Sequence, residues 1–516
     1  MAVLSKPRRT HTPTFAAVDI GANSVRLKIA RLVRRRLEVI HEDREVTRLG
    51  ESVFRTGALD PQAMEQTMQV LRRFHRAAQT QGADFARVVA TSALRDARNA
   101  HAFVDWVRST TGWAVEVISG LEEGRLIHLA IMSGTRVASY RVLLIDLGGG
   151  SCELTVSHEG QIKQMSSLPL GAVRLTQEFL HHDPPKKKEL ERLREFIAEE
   201  VGRVEKRIAA DHVQITIATS GTAAALAGLW RSRASNNPNT VPRPAVQDLA
   251  RELGRETLPE RLALPGIGPR RAEIIIAGAN VFAELLARLR LPSFRYSPLG
   301  LRDGLLAQMV ADYDRETRFR HQIESQRQNA LVDAGKHFSV DLKFSERVRD
   351  LAAALFNGLK SVHGLPPEYA DWLAAAAMLQ EVGSYVNRAG RRRHTYYIIS
   401  HYELFGYTLH QRELIAAIAR YVGRSRPTVD SRPMRPLSAP ERNMVQKAVL
   451  LLRLARALDQ GRRGAVKDVK VGVEPGRVRL RLRTGRGGAD LELWALDKER
   501  DYFRDVFGRE LVAVVS

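Results

Sequence analysis

A single cysteine, Cys152, in 516 residues leaves no partner for an internal disulfide and no thiolate set for a zinc cage. No apolar run approaches the ~18 residues needed to span a bilayer, so no membrane segment is expected. The first dozen residues, MAVLSKPRRTHT, carry basic charge with no apolar stretch behind it, which is not a secretory signal. With the lone thiol, this points to a cytoplasmic location. Acidic residues are also in short supply: 58 Asp and Glu face 80 Lys and Arg, a formal charge of +22 with a pI near 10.4. Such a balance favours a polyanionic partner such as nucleic acid, inorganic polyphosphate or an acidic surface; the alternative is arginine spread over solvated faces. Zinc-finger spacings, RNA-recognition signatures and basic heptad regions are absent, so no specific nucleic-acid partner is expected.

What is present is a repeat. VDIGANSVRL (18–27) and LIDLGGGSCEL (144–154) each run apolar residues into Asp-x-Gly, a small turn and more apolar residues. VVATSALRDA (88–97) and TIATSGTAAAL (216–226) share Ala-Thr-Ser after an apolar run. Asp19 to Thr91 is 72 residues and Asp146 to Thr219 is 73. A lone Asp-x-Gly is most often a plain turn. The matched pairs instead predict a duplicated α/β domain whose halves face each other across a cleft, one Asp-Gly hairpin from each lining it. Glycine lets backbone N–H groups approach an anion closely, and an aspartate at a strand end can hold Mg²⁺ against phosphate oxygens.

At 44% hydrophobic and 27% charged residues the chain reads as globular, and its length calls for several domains. Residues 1–14 read as a basic tail. Strands alternate with helices through 15–136 and again through 137–313, with a charged helix at 186–210 and a Pro/Asn-rich loop at 235–244. From 314 to 464 apolar residues recur at helical spacing. From 465 to 516 the pattern suggests a small α/β module: Val478, Leu480 and Leu482 alternate with arginine in a strand, and 471–473 and 490–494 are candidate partner strands.

VISGLEEGRLIHLAI (117–131) places Glu122 and Glu123 at a helix start after a Ser-Gly turn. Acidic residues are ordinary in a first helical turn. This turn, however, falls where the two halves meet, where a carboxylate could take a proton from a water attacking a terminal phosphoryl group.

These motifs, with SLPLGAVRLTQEF (167–179), RRAEIIIAGANVFAELL (270–286) and YSPLGLRDGLL (296–306), occur in the order and spacing of one family. The chain resembles the exopolyphosphatase/guanosine pentaphosphate phosphohydrolase family, of the actin–Hsp70–sugar-kinase fold superfamily, in its long, exopolyphosphatase-like form. The resemblance implies an α/β fold of two actin-like halves with an interdomain cleft, then an all-α HD-like domain and the terminal module. It implies Glu123 as general base, with Glu122 the second candidate. Asp146 and Glu153 match acidic residues that organise Mg²⁺, and Asp19 is the weaker third. Asn23 and Ser24 match one phosphate loop, and Gly148, Gly149, Gly150 and Ser151 the other. Arg95 matches a phosphate-facing arginine, and Ser220, Gly221 and Thr222 a further phosphate-contacting turn. A homodimer is also implied.

Two departures stand out. The family usually has threonine where this chain has Cys152, which reads as a small buried residue rather than a nucleophile. The helical region resembles an HD-type phosphohydrolase through AAAAMLQEVG (374–383), RRHTYYIISH (392–401) and LLLRLARALDQ (450–460), but Gln380-Glu381 stands in place of the His-Asp metal pair. His394 and His401 then read as hydrogen-bonding or anion-facing residues. Arg388, Arg391, Arg392, Arg393 and His394, then Arg477, Arg479, Arg481 and Arg483, would extend a polyanion track or simply form solvated faces.

The leading expectation is an Mg²⁺-dependent hydrolase releasing terminal orthophosphate from inorganic polyphosphate. Hydrolysis of guanosine pentaphosphate at the same site, a sensor without turnover, and, more weakly, a kinase are the rivals.

Overall fold

The computed structural model describes residues 12–209, 212–233, 240–314, 318–485 and 487–515. It falls into two compact units, Met1–Ile323 and Glu324–Ser516. Most of the expected basic tail and part of the Pro/Asn-rich loop lie outside the described residues.

In the first unit, β1 (Thr14–Ile20), β2 (Ser24–Val33) and β3 (Arg36–Val46) form an antiparallel meander. β4 (Phe85–Ala90) and β5 (Val115–Val117) join in parallel, giving the order β3-β2-β1-β4-β5. The plan then repeats. β6 (Val142–Leu147), β7 (Cys152–His158) and β8 (Gln161–Leu168) form a second meander, and β9 (Ile215–Thr219) lies parallel to β6. With β10 (Thr240–Pro242) and β11 (Ser293–Tyr296) the order is β10-β11-β9-β6-β7-β8. β1 and β6 are near-continuous apolar runs because each lies in the middle of a mixed sheet, buried on both faces.

Each central strand carries its aspartate one residue before its end, and here the repeats diverge. Asp146 faces Glu153 on β7 and Thr219 on β9, whereas Asp19 faces Arg26 on β2 and Val89 on β4. Thr91 lies two residues beyond Val89, so the near-equal sequence spacings do not make the two Ala-Thr-Ser stretches equivalent. Among the described residues, only the second half offers its aspartate a hydroxyl, that of Thr219.

The helix Gly120–Gly134 joins the halves. Ser119 caps it, its hydroxyl accepting from the Glu122 backbone N–H at 3.0 Å. Leu126 and Leu129 share one core with Ala17 of β1, Leu144 of β6 and Leu301 and Leu305 of the helix Leu301–Tyr313. Burial on all these neighbours holds the first turn, and with it Glu123, rigidly at the junction.

The second unit packs the helices Leu342–Gly358, Glu368–Leu379, Arg391–His401, Leu409–Arg420 and Ala439–Ala457 around an aliphatic core. It then forms a three-stranded sheet of β12 (Val466–Glu474), β13 (Arg477–Thr484) and β14 (Glu510–Val515). Val478, Leu480 and Leu482 are fully buried, as the alternation required. The expected strand at 490–494 is instead a helix, Asp490–Asp497. Asp490 and Glu492 suit the N-terminal end of its dipole, and Glu492, Ala495 and Leu496 are buried at helical spacing. β14 supplies the third strand, parallel to β13.

Candidate active site

Three carboxylates meet at the ends of β6 and β7 and the start of the helix Gly120–Gly134. Oxygens of Glu123, Asp146 and Glu153 all lie within 4.8 Å of one another. Asp19 is not in this set, although its charge also raises Glu123. Thr219 donates to Asp146 Oδ1, and Ser167, opposite Glu153 on β8, donates to Glu153 Oε1 at 2.8 Å. The remaining Oε2 atoms of Glu123 and Glu153 are buried without a hydrogen-bond partner.

Crowding and burial push all of these groups towards their neutral forms. Burial, then the charges of Glu153, Asp146 and Asp19, hold the Glu123 carboxyl well above the usual range, against Arg95. Glu153 is raised to about 8 by burial and Asp146. Asp146 is raised by burial, with Thr219 opposing. Hard carboxylate oxygens with unused lone pairs, close enough to repel, fit a divalent cation such as Mg²⁺.

Glu122 is built differently. Its two oxygens take a bidentate fork from fully buried Arg125, Nε to Oε2 and Nη2 to Oε1, each at 2.8 Å, and Arg125 also donates to Gln308. Glu122→Gln would leave Arg125 buried without its anion, so a loss of about 3–5 kcal/mol of stability is expected from denaturant titration. An unchanged midpoint would contradict a structural role.

The loops come together as well. Gly148 N–H donates to Ser151 O at 2.9 Å, and Val173 N–H to Gly149 O at 2.8 Å. A Cβ on Gly149 would stand 3.3 Å from Asn23 N, so the two hairpins face each other. Asn23 O accepts from the N–H groups of Thr47 and Arg48, while its Nδ2 is buried and unpartnered. Ser24 Oγ accepts from Arg26 Nε at 3.2 Å. A Cβ on Gly150 would lie 2.3 Å from Ser92 Oγ, which only glycine permits. Arg95 donates to Ile118 O at 2.8 Å and to Ser151 Oγ at 3.4 Å, tying the first half's helix start to the second half's glycine loop. Ser220 adopts φ 78° and donates to Leu147 O at 2.7 Å.

Gly221 and Thr222 reveal a residue that sequence reasoning missed. A Cβ on Gly221 would fall 1.9 Å from Arg271 Nη2, and Arg271 Nη1 reaches Thr222 Oγ1 at 3.4 Å. Burial, then Arg26 and Arg44, depress Arg271 to about 9. Arg26, Arg44 and Arg302 also surround Asp19. This positive wall is assembled from separate segments, and the one sequence signal for it was that Arg26, Arg271 and Arg302 each sit inside a recognised motif. Cys152 is fully buried, its thiol pushed well above the usual range by burial and by Glu153 and Asp146, which suppresses the thiolate that a nucleophile needs.

Two mixed sheets of repeated plan, with facing glycine hairpins and three close carboxylates at their strand ends, make the first unit a duplicated α/β fold. The chain belongs to the Ppx/GppA phosphatase family, whose model matches residues 28–313; the model of Ppx/GppA phosphatase domain III matches residues 327–500. Solved structures agree. A Ppx/GppA family member from Aquifex aeolicus is 30% identical, covering 59% of this chain and 99% of its own, with a TM-score of 0.51. An exopolyphosphatase from Cytophaga hutchinsonii is similar in fold at 24% identity, covering 58% and 98%, with a TM-score of 0.55. An exopolyphosphatase-like protein is 29% identical over 59% and 98%, with a TM-score of 0.54. The protein is a phosphoanhydride hydrolase.

Proposed function

We propose that the protein is an exopolyphosphatase that removes terminal orthophosphate from inorganic polyphosphate, with Glu123 as general base. The observation that carries this reading is the unpartnered Glu123 Oε2, buried beside Asp146 and Glu153 while its neighbour Glu122 is fully engaged by Arg125. N–H groups of the two facing hairpins, with Arg95, would hold the terminal phosphoryl group in line for attack. Glu123 accepts the proton of the attacking water as its oxygen bonds to phosphorus. The P–O bond to the rest of the chain breaks, leaving orthophosphate and a polymer one unit shorter. Asp146 and Glu153 would hold Mg²⁺, which when bound neutralises phosphate charge.

The basic surplus of the chain favours a long polyanion over a nucleotide. Orthophosphate release from polyphosphate and from guanosine pentaphosphate, measured side by side, tests this; preference for the nucleotide overturns the choice of substrate. We read the second unit as HD-like with a degenerate metal pair, because Gln380 Oε1 and Glu381 Oε1 both accept from Arg456 Nη1, at 3.1 and 3.2 Å.

The metal assignment has its own signature. Unfolded, the Glu153 carboxyl titrates near 4.5; folded, near 8. Without a divalent cation the folded chain keeps a proton that the unfolded chain releases, so this group's contribution to stability falls as pH rises from about 4.5 to about 8. A cation displaces that proton. The rise in Tm on adding Mg²⁺ is therefore expected to grow between about pH 6 and pH 8 and to flatten in Glu153→Gln. A rise independent of pH would count against these carboxylates as ligands.

A further inference from the structure

The second glycine loop is held from behind by one helix. Ala172 N–H donates to Gly148 O at 3.0 Å, and the N–H groups of Val173 and Arg174 donate to Gly149 O at 2.8 and 3.1 Å. These are the donors that the first turn of the helix Ala172–Phe179 cannot satisfy within itself. Gly171, at its cap, lies so close that a Cβ there would stand 2.2 Å from the Gly150 backbone. In a trans peptide the C=O and the following N–H point in opposite directions. Holding Gly148 O and Gly149 O against the helix therefore turns the N–H groups of Gly149 and Gly150 away from it. Among the described residues, the N–H groups of Gly149, Gly150 and Ser151 meet no protein acceptor.

The third peptide, Gly150–Ser151, is held differently. Its carbonyl accepts from a side chain, Arg174 Nε, at 2.8 Å. That guanidinium is fixed in turn by the first half of the unit. Nη2 donates to Asp96, the residue after Arg95, and Cζ stands 4.3 Å from the centroid of the Phe54 ring. Phe54 reaches under the loop itself, since a Cβ on Gly150 would stand 2.4 Å from its ring Cζ. Two peptide planes are thus locked by backbone, which no side-chain change removes. The third depends on one arginine, at a glycine with no Cβ to resist a flip.

We propose that Arg174 is a positioning residue that keeps the Gly150–Ser151 peptide turned so that the Ser151 N–H, and not the Gly150 carbonyl, faces the terminal phosphoryl group. This role assumes, with the reading above, that the hairpin N–H groups receive that group. A carbonyl oxygen aimed at phosphoryl oxygens repels them, whereas a fixed N–H stabilises the charge they carry in the transition state. Asp96 and Phe54 belong to the first half, so this donor is set only where the two halves meet.

The test is orthophosphate release by the full chain from inorganic tripolyphosphate with Mg²⁺. Arg174→Ala is expected to lower kcat by about 10²–10³ and to change KM by less than about three-fold. Guanidinium ion at non-denaturing concentration should restore part of the lost rate, because it fits the space vacated between Gly150 O and Asp96. A raised KM with kcat unchanged would make Arg174 a phosphate ligand and overturn the positioning role; so would a kcat within about three-fold of the parent. If Arg174→Ala does not fold, Arg174→Lys replaces it, since an ammonium cannot hold Gly150 O and Asp96 in one planar fork. Adding Asp96→Ala to Arg174→Lys should then lower kcat little further, and fully additive losses overturn the shared lock. Orthovanadate, whose five-coordinate form resembles the transferring phosphoryl group, separates this lock from the base. In a Glu123→Gln background its binding, followed by calorimetry, should weaken about ten-fold once Arg174 is changed. Unchanged vanadate binding overturns the proposal. A Glu123→Gln chain that still turns over, with vanadate binding weakened by the Arg174 change, overturns the base assignment alone.

Discussion

Glu123→Gln is expected to keep the fold and polyphosphate binding and to lose turnover by about 10²–10⁴. The amide preserves the size and reach of the side chain but cannot accept the proton of the attacking water. It also removes one charge from a crowded trio whose members all titrate high, so stability should not fall. A chain that stays folded, binds and does not turn over is the signature of a lost base. Single-turnover release of orthophosphate, with binding followed independently, measures it. Near-normal turnover would show the base assignment to be wrong, and Glu122→Gln, read with its expected loss of stability, would be the next variant to assay for turnover.

Asp146→Asn should fail in a different way. Asp146 accepts from Thr219 and lies across the strand pair from Glu153, and the role proposed for its charge is to organise a cation rather than receive a proton. Turnover should drop and the Mg²⁺ dependence should move to higher concentration, so that extra Mg²⁺ partly restores the rate. The Glu123 variant should stay inactive at every Mg²⁺ concentration. Equal rescue of both variants would mean that Glu123 acts as a ligand and that the proton goes elsewhere.

Much of this site was visible in one dimension. The two Asp-Gly hairpins, the Glu pair and the Ala-Thr-Ser stretches are local strings whose chemistry follows from glycine, carboxylate and strand ends, and the structure sets the hairpins face to face and Glu123 beside Asp146 and Glu153. Less visible were the partners that hold each carboxylate. Ser167 reaches Glu153 only because β7 and β8 pair in that register, and Thr219 reaches Asp146 only through a parallel pairing across 73 residues. The terminal module was misread at 490–494 because a few alternating leucines serve a short helix as well as a strand, and the parallel partner β14 lies after two helices.

The sequence by itself determined the duplicated α/β plan, the family and the residue types available for phosphate, because backbone turns and hydrophobic periodicity are local properties. Residue type and spacing alone do not separate Glu122 from Glu123, which share a helical turn and the same chemistry; the family resemblance ranked Glu123 first. Tertiary structure gives the two different surroundings, which is what favours Glu123 as the proposed base: buried Arg125 takes both oxygens of one, and burial against Asp146 and Glu153 leaves an oxygen of the other unpaired. It also divided the arginines, which composition counts alike, into an exposed face of β13, where Arg477, Arg479 and Arg483 pair with Glu510, Glu474 and Asp468, and helix ends where Arg456 and Arg462 share Glu381. Charge is written in the sequence, but whether a charge is compensated depends on distances that only the packed chain sets.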